Sequence, residues 1–259
     1  MFSVSRLEAW GGGRGVRVVI FSFSIVALWS LRAFAMVPGD DAFAIRDYEA
    51  ASARYATYLS QGGDSAEVYW RLSRLTVCMG DVAPVEQRES YYQKAADYAA
   101  QAIRTNPRLA YGYSWHAASL GSLAMYVGGK TKVRLSREIK EDLDRAIALD
   151  PRDDIAYSIL GSFYLALEDV SWIERQLANA FLGGLPDGGM EDAEKALRKA
   201  VEIAPTVIRH QYELGLVYRA QGRNQEATGA FEKVLTLPVV LASDPRTQSY
   251  ARERIEEMS

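Results

Sequence analysis

Small, apolar and proline residues recur along the chain in one aligned order. Ala95, Ala99 and Ala102 stand 12, 8 and 5 positions before Pro107; the same offsets hold Ile139, Leu143 and Ala146 before Pro151, and Ala193, Leu197 and Ala200 before Pro205. A further set, Ala227, Phe231 and Val234, ends at Pro238, one residue early. Steps of four and three residues put each set on one face of an α-helix, and the small members of that face let a second helix come close. The proline ends the helix because it has no N–H to donate and its ring clashes with the turn before it.

Upstream of each such helix, a complementary pattern predicts its partner. Tyr157, Leu160, Gly161 and Tyr164 give the fullest form, and Leu214, Gly215 and Tyr218 repeat it with Gln211 in place of the leading aromatic. Tyr69, Leu72 and Ser73 begin it again, and Tyr113 with Leu120 give a weaker version. A glycine inside a helix costs about 1 kcal/mol relative to alanine, so Gly161 and Gly215 imply close helix contacts that offset the loss.

The chain therefore reads as all-α: a superhelix of helical hairpins (an α-solenoid) with inserted segments and a C-terminal capping helix. Four hairpins fill residues 64–241. Ahead of them, 36–63 reads as a capping helix with an apolar stripe of Ile45, Tyr48, Ala51, Tyr55 and Tyr58-Leu59, ended by Gln61-Gly62-Gly63. Behind them, 242–259 forms the terminal cap, opened by Asp244-Pro245. Extra residues interrupt the first three hairpins near 80–89, 128–131 and 171–189, whereas Gly222-Arg223-Asn224 makes a short turn in the fourth.

The hairpins resemble the tetratricopeptide repeat, a helix–turn–helix unit of about 34 residues. The insertions carry a narrower likeness. Ser171-Trp172-Ile173-Glu174-Arg175-Gln176-Leu177-Ala178, followed by Ala180-Phe181-Leu182-Gly183, resembles a stretch of the regulator of microtubule dynamics family. Tyr69-Trp70-Arg71-Leu72, the run from Ile139 to Ile147, and Leu235-Thr236-Leu237-Pro238-Val239 are similar to that family too, so the resemblance spans roughly residues 45–258. It implies a tetratricopeptide-like domain that binds partners and has no catalytic site to transfer.

Charge and composition narrow the partner. Of 259 residues 49% are hydrophobic, and a formal net charge of −3 leaves no basic excess for nucleic acid. The first 35 residues differ in kind: Arg6, Arg14 and Arg17 precede an apolar run over 18–31, and Ala33-Phe34-Ala35 follows. This is the layout of a secretory signal peptide, with a run short of a membrane span. The expectation is an exported protein, periplasmic or secreted, with anchoring in a membrane by residues 18–31 as the alternative and no other membrane contact. Without residues 1–35, 26 basic and 32 acidic side chains remain, a net of −6. The lone Cys78 has no partner for an internal disulfide and reads as a small buried hydrophobe.

Candidate chemistry is sparse. His116 and His210 have no Cys or second His at ligand spacing, so no metal site is expected. Gly129-Lys130-Thr131 lacks the earlier glycine of a phosphate loop, because position 124 is Ala124. Tyr126 and Lys130 have the offset of a reductase pair, but Gly128-Gly129 between them would break the helix that must hold them. Neither a catalytic residue nor a cofactor is expected. What remains is the inner face of each hairpin's first helix: Trp70 and Arg74; Tyr111 and Ser114; Ile155, Ser158 and Ser162; and Tyr212, Leu216 and Arg219. Aromatic and Arg side chains dominate binding energy at interfaces, so this groove is expected to hold a protein or peptide segment. The alternative occupant is a lipid or small hydrophobe lying along Trp70, Tyr111, Ile155 and Leu216. The groove lacks the Lys and Asn set with which chaperone-binding repeats clamp a terminal carboxylate. Trp172, Glu174 and Arg175 in the long insertion form a second candidate surface.

Overall fold

The computed structural model describes residues 36–127, 129–168, 170, 175–176, 178–180 and 183–258. Contacts divide the chain into units 1–35 and 36–259, and every described residue belongs to the second. The helices, in chain order, are α1 (Asp40–Ala44), α2 (Tyr48–Ser60), α3 (Ser65–Val82), α4 (Val85–Thr105), α5 (Ala110–Leu123), α6 (Gly129–Leu149), α7 (Asp154–Glu168), α8 (Met190–Ile203), α9 (Ile208–Ala220), α10 (Asn224–Thr236) and α11 (Asp244–Glu257). No strand occurs among the described residues.

Four hairpins, α3–α4, α5–α6, α7–α8 and α9–α10, stack as an α-solenoid. The twelve residues set by the proline spacing are all at 4% exposure or less, so the repeat register read from the sequence is the register of the core. Size is matched across each hairpin. A Cβ on Gly161 would lie 2.3 Å from Leu197 Cγ, and one on Gly215 would lie 2.6 Å from Phe231 Cε1. At the equivalent places of the earlier hairpins, Ser73 and Ala117 stand in the first helix, with Ala99 and Leu143 in the second. The two glycines stand opposite the large Leu197 and Phe231, as close packing requires.

The extra residues are accommodated in three ways. In the first hairpin both helices are simply longer, leaving only Ala83-Pro84 between α3 and α4. Gly80 makes this fit, since a Cβ there would meet Tyr91 and Tyr92 at 2.9 Å, and Tyr92 then donates to Asp81 at 2.9 Å. In the second, the extra residues form the first turns of α6. In the third, residues 183–189 run without regular structure, and Gly188 (φ +136) lies where a Cβ would be 2.0 Å from the Tyr164 ring. Arg175 donates to the Leu167 carbonyl at 2.8 Å, which satisfies an acceptor at the end of α7.

Both ends differ from expectation. Residues 40–60 form two helices rather than one, because Asp47 accepts from Ala50 N at 3.0 Å as an N-cap for α2 while Arg46 turns the chain at φ +66. These helices do more than cover the first hairpin. Ala242 N donates to Tyr48 Oη at 3.1 Å, and Arg46 Nη1 donates to the Val239 carbonyl at 3.2 Å, so the start of the fold is clasped to the far end of the array. At that far end α11 packs on α9 and α10 with Ala251 fully enclosed, and Gln248 donates to the carbonyls of Val234 and Leu237, both at 3.2 Å. Asp244 looks backward: its carboxylate accepts from Val240 N at 2.8 Å and Leu241 N at 2.7 Å, closing the turn before α11 rather than opening the helix.

Candidate functional site

The inner face is built from α3, α5, α7 and α9, which lie side by side and interlock through polar groups. Ser73 Oγ and Ser119 Oγ are 3.3 Å apart, Ser114 donates to Asp153, and His210 Nε2 pairs with Asp154 Oδ2 at 2.8 Å. This close approach decides which of the expected groove residues a partner can reach. Ser114 (0% exposed) and Ser158 (1%) are enclosed between neighbouring first helices and are closed to a ligand, a correction to their placement on the open face. Side chains this short are buried when the helices meet.

The two ends of the groove are covered by the chain itself. Trp70 is buried, stacked on Tyr111 with ring centroids 4.9 Å apart, and its indole N–H donates to Glu67 at 2.8 Å. The Arg74 guanidinium lies 3.8 Å over the Phe43 ring and 5.1 Å from that of Trp70. At the other end, α11 brings Arg254 to the Tyr212 hydroxyl and Glu257 to Arg219 at 3.0 Å. Between these ends, Tyr111, Ile155, Ser162 and Leu216 are part-exposed, with Ser162 held by the Ser158 carbonyl at 3.1 Å.

A cluster that the sequence reading missed sits beneath the first hairpin's end. Arg71 is 2% exposed and its Nε reaches both oxygens of Asp40, at 2.9 and 3.0 Å. The same carboxylate accepts from Tyr55 Oη at 2.6 Å and from Arg74 Nη2 at 3.3 Å. Burial pulls the Asp40 pKa up, but the hydrogen bonds from Arg71 and Tyr55 and the two guanidinium charges outweigh it and hold it below the ordinary value. Arg71 also lies 4.3 Å over the Trp70 ring. The available signal was an arginine amid the apolar run of α3, but nothing local ties it to a residue 31 positions earlier.

Asp153 is the buried acid of the face. Desolvation pushes its pKa to about 6, against the pull of Ser114 and of Ala156 N, which donates to it at 3.0 Å. The folded chain thus keeps a proton that an unfolded carboxyl, near 3.8, has released. That contribution to stability is complete below pH 3.8 and is lost as pH rises through about 6. Asp153→Asn is therefore expected to remove a pH-dependent loss of the order of 1 kcal/mol between pH 5 and 7.5, measured as the difference in urea midpoints between the variant and the natural chain. Burial and the nearby carboxylates of Asp153, Asp154, Asp150 and Glu67 likewise push the Tyr111 hydroxyl to about 12.

Other features lie away from this face. A cleft of about 910 Å³ runs between α7 and α8, lined by Tyr157, Tyr164, Glu191, Lys195 and Arg198 among others, and none of the expected groove residues borders it. His116 Nδ1 meets Asp142 Oδ2 at 2.6 Å, joining α5 to α6. Among the described residues no three His, Cys, Asp or Glu side chains converge as a metal would need. Burial pushes the Cys78 thiol to about 12, which keeps it protonated. Trp172 and Glu174 lie outside the described residues.

Comparison with known proteins places these features in a wider group. The family model described as "Regulator of microtubule dynamics protein 1-3" matches residues 40–259. Regulator of microtubule dynamics protein 3 of Mus musculus is 26% identical over 193 residues, covering 74% of this chain and 41% of that protein. Regulator of microtubule dynamics protein 2 of Homo sapiens is 27% identical over 187 residues, covering 71% of this chain and 46% of that one. The chain thus spans under half the length of these relatives. Among solved structures, a thermophilic TPR protein of Thermus thermophilus aligns with a TM-score of 0.61 at 18% identity, covering 84% of this chain and 95% of its own, which shows the tetratricopeptide-like fold.

These matches overturn the expected location. The curated relatives are mammalian proteins named for regulating microtubules, which contradicts the expected periplasmic or secreted location, and the anchor expected at residues 18–31 lies outside the described residues. The basic start and apolar run behind it lie outside the described residues, and among those described no helix is long and apolar enough to cross a membrane. Arginines ahead of a short greasy stretch are a compositional layout, which carries no information about the cell that reads it.

Proposed function

Since the chain belongs to the regulator of microtubule dynamics family, we propose that it acts without catalysis, as an adaptor whose inner face holds a segment of a partner protein. Its relatives' name gives the process, so the partner is a protein concerned with microtubule dynamics. The observation that carries this reading is the band of Tyr111, Ile155, Ser162 and Leu216, part-exposed between two groove ends that the chain covers itself. An aromatic ring, two branched aliphatics and a hydroxyl on parallel helices suit an extended or helical segment that buries a few anchors.

A photo-crosslinking residue placed at Ile155 or Leu216 in the full chain is expected to yield protein adducts, while the same group at Glu141 or Lys199, on second helices, yields none. Equal adducts from both faces would overturn the proposal. Native mass spectrometry showing a lipid carried in the groove, with no protein adduct, would replace it with the lipid reading.

A further inference from the structure

The occupied end of the groove says what chemistry it accepts. Resting on the adaptor reading, we propose that Arg71 and Arg74, with Tyr55 and Trp70 beside them, form a carboxylate-recognition site that Asp40 fills as an internal stand-in, and that in trans it takes an acidic partner segment with an aromatic residue three positions after the carboxylate. The carboxylate meets Arg71 Nε at 2.9 and 3.0 Å, Arg74 Nη2 at 3.3 Å and Tyr55 Oη at 2.6 Å. Phe43, three residues on, puts its ring 3.8 Å from the Arg74 guanidinium, which also lies 5.1 Å from the Trp70 ring. The site thus reads charge and ring together, by charge-assisted hydrogen bonds and by cation–π contact.

The stand-in is a short strap. Helix α1 has only five residues, far below the length at which a helix persists on its own. It is bounded by two residues in the left-handed region, Gly39 (φ +117) and Arg46 (φ +66). Met36 (75% exposed) and Ile45 (74%) remain in water at its borders, while Val37, Ala42 and Phe43 are buried and must leave the core with it. When Asp40 leaves, Arg71 keeps its ion pair with Glu67, while Arg71 Nε, Arg74 Nη2 and Tyr55 Oη lose an acceptor that a second carboxylate restores. The tethered Asp40 has a high effective concentration and suppresses binding of a free segment until it is displaced.

The test uses a fluorescein-labelled peptide of the chain's own residues 36–47 and a control with its Asp residues changed to Asn, read by anisotropy against the full chain. The natural chain is expected to bind the acidic peptide weakly. Asp40→Asn, whose amide cannot neutralise the guanidinia, is expected to bind it at least about ten-fold tighter, and adding Arg74→Gln is expected to abolish that gain. If Asp40→Asn does not fold, Tyr48→Phe, which removes the bond from Ala242 to the start of α2 just after the strap and keeps the ring stacked on Phe43, is expected to bind tighter than the natural chain. A folded Asp40→Asn or Tyr48→Phe with no gain, or a control peptide that binds as well, overturns the site. Failure of the peptide with crosslinks at Ile155 and Leu216 intact removes this site alone, whereas loss of those crosslinks with peptide binding intact removes only the open groove.

Discussion

Replacing Asp40 with alanine is expected to destabilise the fold by about 1–3 kcal/mol, the range for buried donors deprived of an acceptor. Arg71, 2% exposed, keeps its ion pair with Glu67 but loses the acceptor of its Nε. Tyr55, fully enclosed, loses its acceptor at the same time. The adjacent Asp41 is the internal control. Its side chain is 58% exposed and pairs with Arg54 on the surface, so Asp41→Ala is expected to leave the urea midpoint close to that of the natural chain. Acid separates them further. Because Asp40 titrates below its unfolded value of 3.8, its stabilisation is complete above that pH and is lost as pH falls through the lower folded value. The alanine variant lacks that limb of the acid unfolding curve. A loss at neutral pH no larger than that of Asp41→Ala would show that Glu67 alone satisfies Arg71.

Phe231→Ala is expected to cost about 3–5 kcal/mol, since the ring is fully buried and fills the space above Gly215. The informative measurement is the pair. In the natural chain Gly215→Ala forces a Cβ to within 2.6–3.0 Å of the ring and is expected to destabilise by about 1–3 kcal/mol. On the Phe231→Ala background the obstacle is gone, and the same change is expected to stabilise by about 1 kcal/mol, the helix propensity of alanine over glycine. A change of sign shows that the glycine is retained for the helix contact. Equal effects on both backgrounds would refer its cost to backbone geometry instead.

The core was legible because it is written locally. Ala193, Leu197 and Ala200 share a face by spacing alone, and Pro205 marks where that face ends, so the second helices needed no tertiary information. Gly161 announced its close contact for the same reason. The ends of the groove were not legible. Asp40 meets Arg71, and Arg46 meets Val239, through contacts that leave no period in the sequence. The Asp47 cap could have been read, but the apolar stripe from Ile45 to Tyr58 suggested one unbroken helix. Ser114 and Ser158 were assigned to the open face but are buried, because register does not tell how near the next helix comes.

A linear array of repeats ordinarily frays from its free ends, one unit at a time. Here the bonds of Arg46 to Val239 and Tyr48 to Ala242 tie residues 193 and 194 positions apart. Tension drawn between the termini of this unit would load that knot before any hairpin could uncoil. The array would then behave less like a spring that lengthens in proportion to the pull than like a buckle, holding its pitch up to a threshold and giving way at once.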